Sequence, residues 1–308
     1  MKERILKILR TEQTVVSGES LSAMLGVSRV SVWKHIAKLR EHGYHIVANA
    51  KGYRLSEEID ALFPWEFPKR AFQIHFFPET GSTMDIARDL ARKGCPDFTV
   101  VIAERQTKGR GRLKRVWHSA DGGLYFTVVT RPLLPPVHSF RVCFAASVAL
   151  AETLRTLYKI DAGVKWPNDI LVDGRKLSGM LSEMEAEADR VAYIAIGIGI
   201  NVNNDPCVYE ADAVSISQLL GRKVSRKRLL TCFLDLFETK LHSQALDNIV
   251  TEWKRRTITL DRAVKIVTVK ETLEGVARDI DLTGALVLEL DDGTTRNVVY
   301  GDCFLKNQ

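Results

Sequence analysis

Two short runs decide how this chain is organised: Gln106-Thr-Lys-Gly-Arg-Gly-Arg112 and Lys165-Trp-Pro-Asn-Asp169. The first is a basic glycine loop behind an apolar, strand-like segment. Glycines allow a ligand close to the backbone, and arginines supply fork-shaped donors for carboxylate or phosphate. The second is a proline-fixed turn that offers lysine, amide and carboxylate side chains, and Asp173-Gly-Arg-Lys-Leu-Ser-Gly179 follows it closely. Together they suit a site that holds a small carboxylate beside a nucleotide phosphate.

Each run is ambiguous when it is taken alone. Gly109-Arg-Gly-Arg112 is equally compatible with a solvated loop or a nucleic-acid contact, and it matches neither a Walker loop nor a dinucleotide fingerprint. In the second run, Asn168 and Asp169 suit a Mg²⁺ site or a ribose, whereas an ordinary turn with a packed Trp166 is the plainer alternative. Lys176, behind a hairpin turn, is either an exposed strand lysine or a point charge placed on a phosphoryl group.

Two further segments indicate pocket walls. Ser82 and Thr83 open a helix, where capping is the ordinary role of a hydroxyl, although both side chains can also contribute to a polar pocket. Gly197-Ile-Gly-Ile-Asn201 is a strand whose two glycines lie on one face, which indicates close packing against that face. The sequence has no Ser/His/Asp set with a supporting local signature and no HExxH motif, so covalent catalysis by the protein is not expected.

Composition favours a soluble, intracellular protein. The chain has 308 residues, 45% hydrophobic and 27% charged, with a net charge of +6. It has no uninterrupted apolar run near the roughly 20 residues that cross a bilayer and no signal-peptide pattern, so a cytoplasmic location without membrane contact is expected. The five cysteines are scattered and form no CxxC pair, which argues against a disulfide framework and a structural zinc site. The basic balance is compatible with nucleic acid or an anionic substrate.

Residues 1–62 predict a winged helix-turn-helix. Apolar spacing indicates a first helix, Ser20–Leu25 a second that stops at Gly26, and Ser28 a cap for a third that runs to about Glu41. Two short strands around Asn49 then form a wing. A basic outer face on the third helix is typical of DNA readers, although a merely solvated face is the plain alternative. The candidate DNA contacts are Arg29, Ser31, Lys34, His35, Lys38, Lys51 and Arg54.

The remainder predicts two further domains. Residues 68–258 place strands beside helices without strict alternation, so an α+β class with a mixed sheet is predicted rather than a doubly wound sheet. A nearly all-apolar helix over Phe140–Tyr158 is predicted to be buried. Residues 259–308 contain four turn-punctuated strands and predict a small barrel. Asp60–Pro68, with two prolines and no periodicity, is predicted to be a linker.

The ordered motifs resemble the biotin–protein ligase family, and the resemblance spans essentially the whole chain. The N-terminal domain resembles that of the bifunctional bacterial form, which is biotin ligase and biotin-operon repressor in one chain, and residues 275–289 resemble its SH3-like C-terminal domain. The motifs are Gly81-Ser-Thr83, Gln106, Gly109-Arg-Gly-Arg112, Trp117, Lys165-Trp-Pro-Asn-Asp169, Gly174-Arg-Lys-Leu-Ser-Gly179, Gly197-Ile-Gly-Ile-Asn201 and, in the winged helix, Ser28-Arg-Val-Ser-Val-Trp-Lys-His-Ile36.

The resemblance implies an ATP-dependent ligase with a two-step reaction. Biotin and MgATP give biotinyl-5′-adenylate and pyrophosphate, and a lysine of the biotin carboxyl-carrier protein of acetyl-CoA carboxylase then takes the biotin. It also implies a repressor of biotin-synthesis genes, in which the adenylate promotes a homodimer on operator DNA.

The resemblance also implies a role for each matching residue. Lys176 and Arg112 would be catalytic, and Asp169 with Asn168 would serve Mg²⁺. The residues matching the family's biotin contacts are Ser82, Thr83, Gln106, Gly109, Arg110, Arg112, Trp117, Lys176, Gly179, Gly197 and Gly199. Those matching its ATP and adenylate contacts are Arg110, Arg112, Lys165, Trp166, Asn168, Lys176 and Asn201.

Two positions depart from the family pattern. Leu113-Lys114 stands where the loop usually continues with Arg-Gly, which is expected to stiffen the loop and alter retention of the adenylate. Met84 replaces the usual asparagine after Ser-Thr, so no polar contact is expected there. Two alternatives stay open: a biotin sensor without turnover, against which Lys176 and the intact basic loop argue, and a lipoyl ligase, whose typical Arg-Arg-x-Gly-Gly-Gly-like run is absent.

Overall fold

The computed structural model describes residues 1–306, apart from the side chains of Lys114 and Ser243, and contains two compact units, Met1–Phe72 and Gln73–Gln308. Asn307 and Gln308, which close the predicted domain 259–308, lie outside the described residues. Both units have apolar cores of their own, so each is described separately.

The first unit is a winged helix, as its cap and glycine signals predict. Its elements are α1 (Lys2–Glu12), α2 (Gly18–Leu25), α3 (Arg29–Glu41), β1 (His45–Asn49) and β2 (Gly52–Glu57). Ser28 caps α3 by accepting from the backbone N–H of Ser31, and Gly26 ends α2 in the left-handed conformation. The unit's core is formed by α1, α2 and the inner face of α3, including Ile5, Leu21, Val32 and Ile36.

The predicted linker is part of this unit. Leu62 and Phe67 are buried, and a short 3₁₀ helix over Pro64–Glu66 places the side chain of Glu66 in the interior. Glu66 Oε1 accepts hydrogen bonds from the Tyr44 hydroxyl at 2.5 Å and from Arg10 Nη2 at 3.0 Å. The segment that contains the two prolines is therefore packed against its unit and is not a free linker. Tyr44 and Arg10 satisfy the carboxylate that this packing buries.

The second unit is built on a seven-stranded sheet in the order β3-β4-β5-β9-β8-β7-β6. The strands β3 and β4 are parallel and all other neighbours are antiparallel, which confirms the predicted mixed sheet and α+β class. The strands are β3 (Ile74–Thr80), β4 (Thr99–Gln106), β5 (Leu124–Thr130), β6 (Gly163–Lys165), β7 (Asp169–Val172), β8 (Arg175–Glu187) and β9 (Arg190–Ile200).

Helices cover this sheet. The long α5 is buried as predicted, and its Phe144 stacks on Trp253 of α9 with ring centroids 4.5 Å apart. The segment Pro136–Tyr158 is long and apolar enough to cross a membrane, but 67% of its most apolar window is buried inside the unit, as in a core helix. The helices are α4 (Thr83–Arg92), α5 (Phe140–Tyr158), α6 (Ile216–Leu220), α7 (Arg226–Leu241), α8 (Ser243–Asp247) and α9 (Ile249–Lys254).

A second, five-stranded antiparallel sheet ends the chain, in the order β13-β12-β11-β10-β14. Within residues 1–306 the outer strands β13 and β14 do not pair, so closure into the predicted barrel is not seen. The fifth strand, β14, has no counterpart in the sequence prediction. The strands are β10 (Arg262–Val267), β11 (Thr272–Ile280), β12 (Leu286–Glu289), β13 (Thr295–Val298) and β14 (Asp302–Leu305).

Replacing Glu66 by Ala is expected to destabilise the winged-helix unit by about 1–3 kcal/mol, because the Tyr44 hydroxyl and Arg10 lose a buried partner. Urea unfolding of the full chain measures this change. Glu58→Ala is the matched control: Glu58 binds the same arginine, but its side chain is 53% exposed, and the expected cost is below about 1 kcal/mol. Equal stabilities of the two variants would contradict the structural role of Glu66.

Candidate active site and nucleic-acid interface

One cavity of about 400 Å³ collects most of the predicted ligase residues. Its walls come from the loop after β4, the turn between β6 and β7, the adjacent strands β8 and β9, and the start of β14. The predicted residues that line it are Ser82, Thr83, Gln106, Arg110, Arg112, Trp117, Lys165, Trp166, Asn168, Asp169, Lys176, Gly179, Gly197 and Gly199.

Two predicted residues lie outside this lining. Gly109 lines a neighbouring cavity, and its carbonyl accepts from the backbone N–H of Trp117 at 3.0 Å. A Cβ at Gly109 would lie 2.3 Å from the Trp117 carbonyl oxygen, so a glycine is needed to close the loop. Asn201 is buried, and its Oδ1 accepts from Asn204 Nδ2 at 3.0 Å.

A chain of hydrogen bonds forms the polar end of the cavity. Gln106 Oε1 accepts from the Thr83 backbone N–H at 2.8 Å and from its hydroxyl at 3.1 Å. Thr127 donates to the Thr83 hydroxyl at 2.8 Å, and Gln106 Nε2 donates to Ser119 at 3.1 Å. Ser82 occupies the N-cap of α4 but makes no capping hydrogen bond, so the helix does not use its hydroxyl. This end offers hydroxyl and amide groups to a polar ring.

Sequence reasoning did not identify Ser119 and Thr127. Thr127 is fully buried within the apolar strand β5, and it pairs in register with Gly197. A threonine in the middle of a strand that is mostly apolar is the signal that could have found it, since a buried hydroxyl requires a partner. Ser119 lies in a loop and carries no such signal.

Glycines form the floor of the cavity. A Cβ at Gly199 would lie 2.2 Å from Trp117 Cε2, and one at Gly179 would lie 2.9 Å from Trp117 Cζ3. The indole of Trp117 therefore fits against the strands only because both positions are glycine. Gly197 receives Met84, whose Cε would lie 3.0 Å from an added Cβ, so the residue at this departure from the family pattern packs as an apolar side chain.

Positive charge gathers at the opposite end. Asp169 pairs with Lys165 Nζ at 3.2 Å and with Lys176 Nζ at 3.3 Å, and all three side chains are largely buried. Two ammonium groups share one carboxylate, so a net positive charge faces the cavity. Lys176 Nζ also lies 5.6 Å from the centroid of the Trp117 ring.

The basic loop is fixed to the C-terminal sheet. Arg112 donates to Asn168 Oδ1 at 3.3 Å and to the Gly301 carbonyl at 3.0 Å, and Arg115 forms an ion pair with Asp302. Burial lowers the pKa of Arg112 from its ordinary value. Because β14 was not predicted from the sequence, its contribution to this wall was not predicted either.

The expected Mg²⁺ ligands do not fit a metal held by the protein. Both Asp169 oxygens face ammonium groups, and the Asn168 amide accepts from Arg112 and donates to the Met180 carbonyl. Within the part of the chain that the structure describes, no group of three His, Cys, Asp or Glu side chains could hold a metal ion. The arrangement suits an anion better than a cation.

In the winged helix, five of the predicted DNA contacts are exposed and two are not. Ser31 and His35 are half-buried. Burial lowers the pKa of His35, with the Met1 amino group, Lys38 and Lys2 adding to the effect. His35 Nδ1 is buried and has no hydrogen-bond partner among the described residues, so this side of the ring is turned away from solvent. The exposed residues are Arg29, Lys34, Lys38, Lys51 and Arg54.

The side chain of Trp33, on α3, is 59% exposed. It lines a cavity of about 770 Å³ between α3 and the wing, together with Arg29, Arg40 and Lys51. An exposed indole among three cations is suited to a nucleic acid, since the cations meet phosphates and the ring contacts bases.

The chain is similar to known proteins along most of its length. Residues 2–54 match an HTH domain, residues 76–201 the Biotin/lipoate A/B protein ligase family, and residues 259–306 the Biotin protein ligase C terminal domain. The bifunctional ligase/repressor BirA of Bacillus subtilis is 35% identical over 293 residues, which cover 90% of each chain. BirA of Escherichia coli is 30% identical over 305 residues, covering 94% of this chain and 93% of that protein.

The solved structures agree. Biotin protein ligase from Aquifex aeolicus in complex with biotin and ATP aligns with a TM-score of 0.62 at 26% identity, covering 76% of this chain and 99% of that one. The chain therefore belongs to the biotin protein ligase family. The similarity to BirA places it with the bifunctional ligase/repressors, and in this chain the HTH domain precedes the ligase domain.

Replacing Trp33 by Ala is expected to weaken DNA binding about tenfold, since a good base contact contributes about 1–3 kcal/mol. The probe is a duplex selected from a random library by the full-length chain with biotin and ATP, and fluorescence anisotropy measures its affinity. His35→Ala is the control and is expected to bind within about twofold of the parent, because His35 is half-buried. Unchanged affinity of the Trp33 variant would contradict this assignment.

Proposed function

We propose that the cavity binds biotin at its polar end and ATP at its cationic end, and joins them as biotinyl-5′-AMP. The observation that carries this proposal is a series of contacts along one cavity. Gln106 and Thr83 join Thr127 beside Gly197, Trp117 covers Gly199 and Gly179, and Lys176 lies beside Gly179. Arg112 lines the same cavity. Biotin has matching parts in the same order, which are a polar ureido ring, an apolar chain and a carboxylate. Membership in the ligase family supports the same reaction.

In the first step, a biotin carboxylate oxygen attacks the α-phosphorus of ATP and the bond to pyrophosphate breaks. Lys176 and Arg112 lie where negative charge gathers, and a partly buried cation stabilises such charge more than an exposed one. Asp169 holds the Lys176 ammonium in place. Mg²⁺ would enter with ATP as its counter-ion, since the Asp169 and Asn168 oxygens already face Lys165, Lys176 and Arg112.

In the second step, the amine of a carrier-protein lysine attacks the acyl carbonyl, the bond to the phosphate oxygen breaks, AMP leaves and a proton is released. The indole of Trp117 and the basic loop would cover the mixed anhydride until then, which protects it from water. The acceptor would be the biotin carboxyl-carrier protein of acetyl-CoA carboxylase, in the cytoplasm. The C-terminal sheet, which fixes Arg112 through Gly301, would be the family's SH3-like domain.

The HTH domain and the similarity to bifunctional ligase/repressors support a repressor function beside the ligase function. We propose that bound biotinyl-5′-AMP is the corepressor, and that it promotes a homodimer that places two α3 helices on one operator of biotin-synthesis genes.

Lys176→Ala is expected to slow adenylate formation by about 10²–10³, because one preorganised charge at a developing anion has that effect. Biotin-dependent pyrophosphate release and transfer of labelled biotin to a carrier domain measure the two steps. Lys223→Ala, at an exposed position, is the control. Undiminished transfer would remove the role of Lys176. Tight biotin binding without turnover in the parent chain would support a sensor, and preference for lipoate a lipoyl ligase.

Addition of biotin and ATP is expected to convert the chain to a dimer with higher DNA affinity. Sedimentation velocity and anisotropy measure both changes on one sample, and biotin alone is the control. A chain that makes biotinyl-5′-AMP but stays monomeric and does not bind DNA would contradict the proposed regulation and leave the ligase intact.

A further inference from the structure

A second cavity of the catalytic unit, of about 550 Å³, is rich in arginine. We call it the arginine groove. It lies among the end of α5, the β7–β8 hairpin, the segment after α9 and the start of β10. Its charged lining residues are Arg155, Arg255, Arg256, Arg262, Asp161 and Asp173.

Most of these guanidinium groups lack an internal counter-ion. Among residues 1–306, no carboxylate lies within 4.0 Å of the side chains of Arg155, Arg255 or Arg262, whereas Arg256 pairs with Glu152 at 2.6 Å. Asp161 and Asp173 line the groove without pairing to these arginines, so positive charge remains in excess. Arg155 and Arg255 are exposed. Such a surface is complementary to carboxylates, which arginine binds through two parallel hydrogen bonds.

The groove is a direct neighbour of the ligase cavity. On three strands, a residue of the groove lies two positions from a residue of the ligase cavity: Gly163 and Lys165 on β6, Leu171 and Asp169 on β7, and Leu305 and Cys303 on β14. Residues two apart on a strand share a face and lie about 7 Å apart. A protein whose lysine enters the ligase cavity from this side would cover the groove.

We propose that the arginine groove docks an acidic surface of the carrier protein that accepts biotin. This inference rests on the proposed ligase function. The unpaired arginines come from three separate elements, and Arg155 and Arg255 are exposed, which suits a protein surface better than a small buried anion. Opposite charges at the rim of an interface increase the association rate and select the partner. Recognition would therefore affect the second step and leave adenylate formation unchanged.

The experiment compares Arg155→Glu/Arg255→Glu/Arg262→Glu with the parent in both steps. The acceptor is the carrier domain of acetyl-CoA carboxylase. The KM for this domain is expected to rise about tenfold and to lose most of its salt dependence, while biotin-dependent pyrophosphate release is unchanged. Arg255→Glu alone, at an exposed position, is expected to give a smaller change in the same direction and guards against misfolding of the triple variant. Arg222→Glu/Arg228→Glu, away from the groove, is the control.

The outcomes separate the two proposals. An unchanged KM for the carrier domain in both groove variants would overturn the docking site. If the same variants also bound DNA more weakly, the groove would be assigned to nucleic acid instead. A parent chain without biotin-dependent pyrophosphate release would overturn the ligase function itself. Restored KM with a carrier domain whose acidic residues are changed to lysine would support docking through charge.

Discussion

The register of the central sheet is the constraint on which the site depends. Asp169 pairs with Gly179, Gly179 with Gly199, and Gly199 with Tyr125, so one row of paired residues crosses four strands. A shift by one residue would turn side chains to the opposite face and place Ile198 or Ile200 in the floor. The glycine floor, the carboxylate between two lysines and the position of Trp117 all follow from this row.

The row also explains how charge is managed. Lys176 lies on the strand beside Asp169, across a β-bulge in β8, and Lys165 is Asp169's own partner in the β6–β7 hairpin. Asp169 is thus flanked by ammonium groups without any contact to a distant element. Two cations would repel each other in this partly buried place, and the shared carboxylate offsets that repulsion while the site stays positive. An anionic substrate completes the neutralisation.

Local signals predicted most of the fold and much of the site. Ser28, Gly26 and the apolar spacing of Val32, Ile36 and Leu39 define α3 within a few residues of sequence, and the structure confirms it. The long strands and α5 were predicted from their runs of apolar residues.

Features that depend on distant partners were not predictable. β14 is short, and its partner β10 lies more than thirty residues earlier in the sequence. The local sequence of Asp302–Leu305 therefore did not predict a strand. Which side of α3 faces solvent depends on how the helix packs in the core of its unit, so the exposure of Trp33 and the half-burial of His35 were not predictable. The burial of Glu66 depends on Tyr44 and Arg10, which lie far from it in the sequence.

Leu113 sits in the basic loop at φ 50° and ψ 37°, in the left-handed region. A side chain there costs about 1–2 kcal/mol relative to ordinary backbone, and glycine would not incur this cost. This strain lowers the stability of the observed loop conformation below what its hydrogen bonds alone would predict. Because the loop would cover the proposed mixed anhydride, Leu113 would help to set how long the intermediate stays bound, and the half-life of the bound adenylate would measure this effect. In a chain that is both ligase and repressor, the same half-life would set how long transcription stays repressed after the biotin concentration falls.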